Sequence, residues 1–381
     1  MQFRFLTAGE SHGKALVGII EGLPAGLPVN IAAIDQELRL RQSGFGRSGR
    51  MKIEKDRVHV ISGVRDGKTI GSPITFFIQN QDVQHHPLPR LQAPRPGHAD
   101  LIGTFKFNHS DIRNTLERAS ARETAMRTAV GAICQNFLLC FDIHFCAFVT
   151  RIGPVSVTDI PDPWKISEKI LASPMLCPCP QTETKMMDFI KKSQKEGETV
   201  GGIFEVRVKG LPMGLGSYTQ WDLKLDGRLA QAVMSIPAIK GVEVGAGFSS
   251  ASQPGSTFQD EIFYDPKHVN RFGFYRLTNR HGGIEGGISS GEELILRAAM
   301  KPLSTLSRHP LKTVDIYSKK PARALTQRTD TCAVPAAAVI AKNVAAIEIT
   351  RAFLEKFGGD SLKEVKNNVN HYLSSTIKDH E

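Results

Sequence analysis

No apolar run in the 381-residue sequence approaches the roughly 20 residues that a membrane-spanning helix needs. The first twenty residues are interrupted by Glu10, His12 and Lys14, so they do not read as a signal peptide, and a cytoplasmic location is the expectation. Cysteine is sparse. The six, at 134, 140, 146, 177, 179 and 332, fit no disulfide framework. Cys177-Pro-Cys179-Pro has no second Cys/His pair at zinc-finger spacing, so no metal is expected. There is no Lys-rich tail, no basic ribbon interleaved with aromatics and no familiar nucleic-acid motif, which argues against nucleic acid as a partner. Linkers, internal repeats and low-complexity tracts are absent as well. The length admits two or three domains at about 150 residues each, but nothing enforces a split. A single catalytic domain over 1–357 with a helical tail over 358–381 is the expected organisation.

What is present is ordinary in bulk and unusual in detail. Hydrophobic residues make up 41% and charged residues 23%, as in globular proteins generally. Lysine and arginine outnumber the acids by 48 to 38, for a net charge of +10. Arg39, Arg41, Arg47, Arg50, Arg95, Arg118, Arg122 and Arg127 lie singly among glycines, serines and histidines. Discrete guanidinium groups in Gly-punctuated segments suit bidentate capture of carboxylate and phosphate. A small polyanion is the expected ligand.

Short strands are predicted over 3–6, 58–64, 74–78 and 200–208 from alternation and β-branched content. Helices are predicted over 34–41, 182–195, 228–236 and 334–357, and the longest helical pattern runs unbroken over 111–139. That pattern and 334–357 are rich in alanine, which points to close helix–helix packing in the core. The segment 279–291 reads as a glycine-dense loop, and the tail from 361 as an exposed helix. Strands and helices mix without βαβ alternation, so the class is α+β: a single-domain, β-α-β sandwich-like fold with antiparallel sheets around a helical core.

Two literal motif matches need their context. Gly9-Glu10-Ser11-His12-Gly13 fits the G-x-S-x-G elbow of serine hydrolases, which makes a hydrolase built on Ser11 the rival reading. That elbow belongs between a central strand and a helix, with its acid and histidine downstream, whereas this one follows the first strand. Gly44-Phe45-Gly46-Arg47-Ser48-Gly49 fits G-x-G-x-x-G but follows a helix, so it reads as an arginine-bearing phosphate loop and not as a dinucleotide fingerprint. Five glycines within 279–291 point to close approach of a ligand. His98 stands in a proline-stiffened turn, Lys301 precedes two hydroxyls at Ser304 and Thr305, and Asp330 lies just ahead of a helix start marked by Pro335. A charge-only binding module is a third reading, but it needs neither the histidines nor the glycine loop.

Taken in order, GESHG at 9–13, RLRQSGFGRSGRM at 39–51, RPGHAD at 95–100, RASARET at 118–124, SIPAIKGVEVGAGF at 235–248, NRHGGIEGGISSG at 279–291, KPLST at 301–305 and RTDTCAVPAAAV at 328–339 resemble the chorismate synthases. The resemblance implies an FMN-dependent lyase, which eliminates phosphate from 5-enolpyruvylshikimate 3-phosphate in a 1,4-anti sense to give chorismate, the last common step of aromatic amino-acid biosynthesis. It implies reduced FMN as cofactor, NADPH as a candidate source of reductant, and a homotetramer. Carried over by position, it makes His12 the proton donor to the departing phosphate and His98 the histidine beside the flavin. Ser11 and Asp330 become a hydroxyl–carboxylate pair assisting proton removal, with Ser120 nearby. Flavin contacts fall on Arg118, Ala119, Ser120, Pro237, Ala238, Gly286, Lys301, Pro302, Leu303, Ser304, Thr305 and Arg328, and an NADP or substrate phosphate on Arg41 and Arg47. Thr329 and Ala336 replace the commoner histidine and arginine, and the stretch between Gln79 and Arg95 is shorter than in many relatives.

Overall fold

The computed structural model describes residues 2–49, 53–83, 89–268, 271–326 and 329–374. Its first sheet contains β1 (Arg4–Ala8), β2 (Ala15–Glu21), β3 (His59–Ser62) and β4 (Ile74–Gln79), in the order β1-β2-β4-β3. Its second contains β5 (His144–Ile152), β6 (Val155–Ser156), β7 (Gly202–Lys209), β8 (Ile239–Val244) and β9 (Leu294–Met300), in the order β8-β9-β7-β5-β6. Every pairing in both sheets is antiparallel.

Two long helices fill the space between the sheets. The helix α4 (Thr124–Leu139) lies on β1, β2 and β4, and α7 (Val334–Phe357) lies on β5 and β7. They pack on each other as closely as backbone allows: a Cβ on Gly131 would fall 2.3 Å from the Asn343 carbonyl oxygen. The alanine content thus does what the sequence implied, letting two helices share one buried layer. At 24 residues α7 is about 36 Å long. Its one buried lysine, Lys342, donates to Glu37 at 2.7 Å, and Asn343 donates to the other oxygen of that carboxylate at 2.8 Å. No described helix is long and apolar enough to cross a membrane.

Three expectations are corrected. The pattern over 111–139 is two helices, α3 (Ile112–Ala119) and α4, separated by an extended Ser120 and a 3-10 turn at Ala121–Glu123. The glycine-dense segment 279–291 contains a hairpin, Ile284–Glu285 with Ile288–Ser289. Its five glycines all have positive φ, and all but Gly286 pack on their own chain: a Cβ on Gly282 would lie 2.4 Å from the Gly245 nitrogen, and one on Gly283 2.6 Å from the Glu293 oxygen, whereas one on Gly286 would meet nothing within 4 Å. Tight self-packing therefore accounts for Gly282, Gly283, Gly287 and Gly291. The terminal helix α8 (Leu362–Ser374) is docked, with Val365 buried and the Tyr372 hydroxyl donating to the Met213 carbonyl at 3.0 Å.

Candidate active site

Residues 9–14 link β1 to β2 in an antiparallel hairpin. The turn demands Gly9: at φ +108° a Cβ would fall 2.3 Å from the Ala15 oxygen. Asn80 ties the loop down by donating to the carbonyls of Glu10 (3.1 Å) and Gly13 (2.8 Å). The last turn of α3 takes the other side. The Ser11 amide donates to the Glu117 carbonyl at 3.0 Å, and the Glu117 carboxylate meets the His12 amide at 2.7 Å and its Nδ1 at 2.8 Å. Burial alone would raise the Glu117 carboxyl, but the hydrogen bonds from His12 hold it below the usual range.

The helix breaks at Ser120 because its side chain offers a better arrangement. Its Oγ accepts from the Arg122 amide at 3.3 Å, capping the next turn, and donates to Ser11 Oγ at 3.1 Å. The Ser11 hydroxyl thus meets another serine, and its segment joins two strands, so the hydrolase elbow lacks its setting.

His98 follows a left-handed Gly97 (φ +73°) and presents Nδ1 to Asp100 at 2.5 Å. The buried Asp100 also receives the Arg95 amide (3.1 Å), Nε (2.7 Å) and Nη2 (3.0 Å). Burial opposes ionisation there, yet His98 and Arg95 together hold the Asp100 carboxyl well below the ordinary carboxylate range. Arg95 Nη1 continues to Thr305 at 3.2 Å, and Ser304 Oγ donates to the Gly97 carbonyl at 3.0 Å, so the segments 95–100 and 301–305 form one wall. Lys301 Nζ reaches Ser304 Oγ at 3.1 Å and meets no carboxylate among the described residues. Burial, then the charge of Lys240, lowers its pKa. Its amide donates at 2.9 Å to Ala238, a residue in left-handed backbone at φ +70°.

The remaining wall is guanidinium. Arg41 donates to Thr124 at 3.0 Å and to the Ala121 carbonyl at 2.8 Å, and burial pulls its pKa down to about 10 against the attraction of Asp56. Its Nη1 is buried without a hydrogen bond, 3.6 Å from Asp56. Arg122 donates to Asp56 at 2.8 Å and to Asn80 at 2.9 Å. Arg47 pairs with Asp330 at 2.9 Å, and the Ser48 amide donates to the other Asp330 oxygen at 2.6 Å. The close approach permitted by Gly46 (φ +89°) is to the chain itself: a Cβ there would meet that of Cys332 at 3.0 Å.

These walls enclose one cavity of about 600 Å³, within the range of small-ligand sites. Ser11, His12, His98, Ser120 and Asp330 all line it, as do Arg41, Arg47, Ala119, Pro237, Ala238, Lys301, Leu303, Ser304 and Thr305. Ser11 and Asp330, expected as a pair, share the cavity, and the hydrogen bonds described for them run to Ser120 and to Arg47 and Ser48. Arg118, Pro302 and Gly286 do not line it. Arg118 turns to β1, donating to Thr7 (2.9 Å) and Gly9 (3.1 Å) carbonyls. Pro302 packs at Gly201, where a Cβ would sit 3.0 Å from its nitrogen. Gly286 belongs to the hairpin at the N-terminal end of α6 (Leu225–Met234), where the Leu225 amide donates to Gly287, whereas Pro237 follows the opposite end. Arg328, and the residues 84–88 of the shortened stretch, lie outside the described residues.

Sequence reasoning gave no role to Glu117, Asp100 or Asn80. Asp100 had a signal, two residues from His98 in one turn. Glu117 had none, since 105 residues separate it from His12. All six cysteines are free, and no metal-binding cluster occurs among the described residues.

A pocket that faces guanidinium and ammonium groups toward two carboxylate-steered imidazoles defines an enzyme that handles protons on a small, multiply charged anion. The chorismate synthase family model matches residues 3–354, and the chain belongs to that family. It is 51% identical to the chorismate synthase of Geotalea uraniireducens, over 97% of this chain and 98% of that one. It is 50% identical to that of Alkaliphilus metalliredigens, over 98% and 100%. A crystal structure of a chorismate synthase superposes with a TM-score of 0.81 at 42% identity, covering 98% of each chain.

Proposed function

We infer that this protein is a carbon–oxygen lyase that forms chorismate by eliminating phosphate from 5-enolpyruvylshikimate 3-phosphate, and that it does so with reduced FMN in the cavity described above. The observation that carries this reading is convergence: His12, His98, Ser11, Ser120 and Asp330, drawn from four distant segments, face one space beside Lys301. The residues suit both ligands. Lys301, with no carboxylate on it among the described residues, and the Ser304 and Thr305 hydroxyls would hold the FMN phosphate. Pro237, Ala238 and Leu303 supply apolar surface for the ring system. Arg41 and Arg47 line the same cavity as Ser11 and His12, which favours an anionic substrate group at that wall over a separate NADPH site.

Reduced FMN, when bound, supplies transient electron density for the departure of phosphate and takes up the allylic proton. The chain does the rest. Arg41, Arg47 and Arg122 orient the anionic groups and balance their charge. His12 donates a proton to the leaving phosphate through Nε2, because Nδ1 is committed to Glu117. His98, with Nδ1 on Asp100, would present Nε2 to a flavin ring bound in the cavity and could exchange a proton there. Ser11, linked to Ser120, and Asp330 assist proton removal.

Anaerobic incubation with photoreduced FMN and the enolpyruvyl substrate should release phosphate and chorismate in equal amounts, and flavin binding should tighten when substrate is added. Absence of product under those conditions overturns the reading. The assembly is proposed to be a cytoplasmic homotetramer; apolar residues exposed on the first sheet, such as Leu6 at 73% and Ile61 at 66%, support burial between subunits. Sedimentation equilibrium tests it.

A further inference from the structure

Glu117 closes the last turn of α3 and touches the loop 9–14 three times. Its carbonyl accepts from the Ser11 amide at 3.0 Å, Oε2 from the His12 amide at 2.7 Å, and Oε1 faces His12 Nδ1 at 2.8 Å. The histidine and glutamate side chains are each 15% exposed, so water does little to blur the arrangement. An ionised carboxylate accepts hydrogen bonds and donates none. The hydrogen bonds from His12 keep the Glu117 carboxyl ionised against the opposing effect of burial.

We propose that Glu117 is a positioning residue for the elimination, fixing the hydrogen of His12 on Nδ1 so that Nε2 is the nitrogen that exchanges a proton with the ligand. This rests on the chorismate-forming reading for what the proton does, but not for where it sits. With a carboxylate at Oε1, Nδ1 carries its hydrogen whether the ring is neutral or cationic. Only Nε2 then changes state, and it does so without the ring turning. The backbone contact matters equally. The His12 amide can only donate, so it claims one carboxylate oxygen and leaves the other to the ring. Asp100 holds His98 Nδ1 in a similar way, but Arg95 donates to that carboxylate three times, whereas His12 takes both oxygens of Glu117.

Glu117→Gln separates this role from a merely structural one. In that variant the side-chain amide oxygen must turn to the His12 backbone N–H, which places the NH2 group against Nδ1. Nδ1 then becomes an acceptor, the ring hydrogen moves to Nε2, and a second ring proton has no room. The expected result is a kcat reduced by about 10²-fold, the order lost with a general acid, with KM changed by less than about threefold because no ligand contact is removed. The cofactor-free protein gives an independent readout. Long-range proton–nitrogen NMR on enzyme labelled in histidine, with the His12 signal assigned by its loss in His12→Asn, should show an Nδ1–H tautomer in wild type and an Nε2–H tautomer in Glu117→Gln. Acetate should partly restore turnover to Glu117→Ala. A wild-type Nε2–H tautomer overturns the inference whether or not the variants fold, and so does wild-type kcat in Glu117→Gln. If wild-type enzyme makes no chorismate, the functional reading falls while the tautomer measurement still decides this one.

Discussion

Asp100 takes four hydrogen bonds from two neighbours, three of them from Arg95 and one from His98, with almost no exposure to water. Removing it leaves a buried guanidinium without its counter-charge, a loss of about 3–5 kcal/mol when one partner of a buried pair goes. The acid dependence follows from the sign of the shift. A carboxyl held below its ordinary value contributes stability that is complete above about pH 4 and fades as pH falls toward the folded-state value. Asp100→Asn is therefore expected to melt well below wild type at pH 7, with the gap narrowing at pH 3; an equal gap at both would refute the account, and calorimetry at the two pH values decides. At this scale the sequence was legible where chemistry sits on the side chain itself: His12, His98, Ser11, Ser120 and Asp330 all reach the cavity. It was illegible where a residue acts through another. Glu117 acts on His12 across 105 positions, and Arg118, one residue on, turns to β1 because helical geometry points it the other way.

Helix α3 ends at Ser120 although the hydrophobic periodicity runs straight on into α4. Neither proline nor glycine marks the break, and the bond that favours it goes to Ser11, in another part of the chain. Local pattern cannot contain that information. Glycine misleads in the other direction: four of the five within 279–291 serve tight turns packed on the same chain, and in α4 glycine serves contact between helices. Gly131 allows a clear test. Alanine in a helix is favoured over glycine by about 1 kcal/mol, yet here its Cβ would lie 2.3 Å from the Asn343 oxygen. Gly131→Ala is expected to destabilise the protein by about 1–3 kcal/mol, the order seen for overpacked cores, in urea unfolding. A stabilised variant would mean that α4 and α7 separate more easily than the packing implies.

Over the whole molecule the layered α+β arrangement was legible, because two alanine-rich helices and several alternating strands leave few ways to bury everything. Strand order was not, since non-neighbouring strands such as β7 and β9 pair through partners 86 residues apart, Leu294 opposite Val208. The net charge of +10 and the scattered arginines point to a small polyanion, and all four arginines lining the cavity turn out to sit beside carboxylates. The long-range field remains positive all the same, so kcat/KM is expected to fall several-fold as ionic strength rises while kcat holds nearly constant; steady-state kinetics over a salt series checks this, and a flat kcat/KM would refute it. The cavity also joins distant parts of the chain, Ser11 on one wall and Asp330 on another. A polypeptide emerging from the ribosome holds the first of these long before the second. An anion held in that cavity therefore cannot template early folding of the nascent chain; it can only lock the two segments together once both have been made.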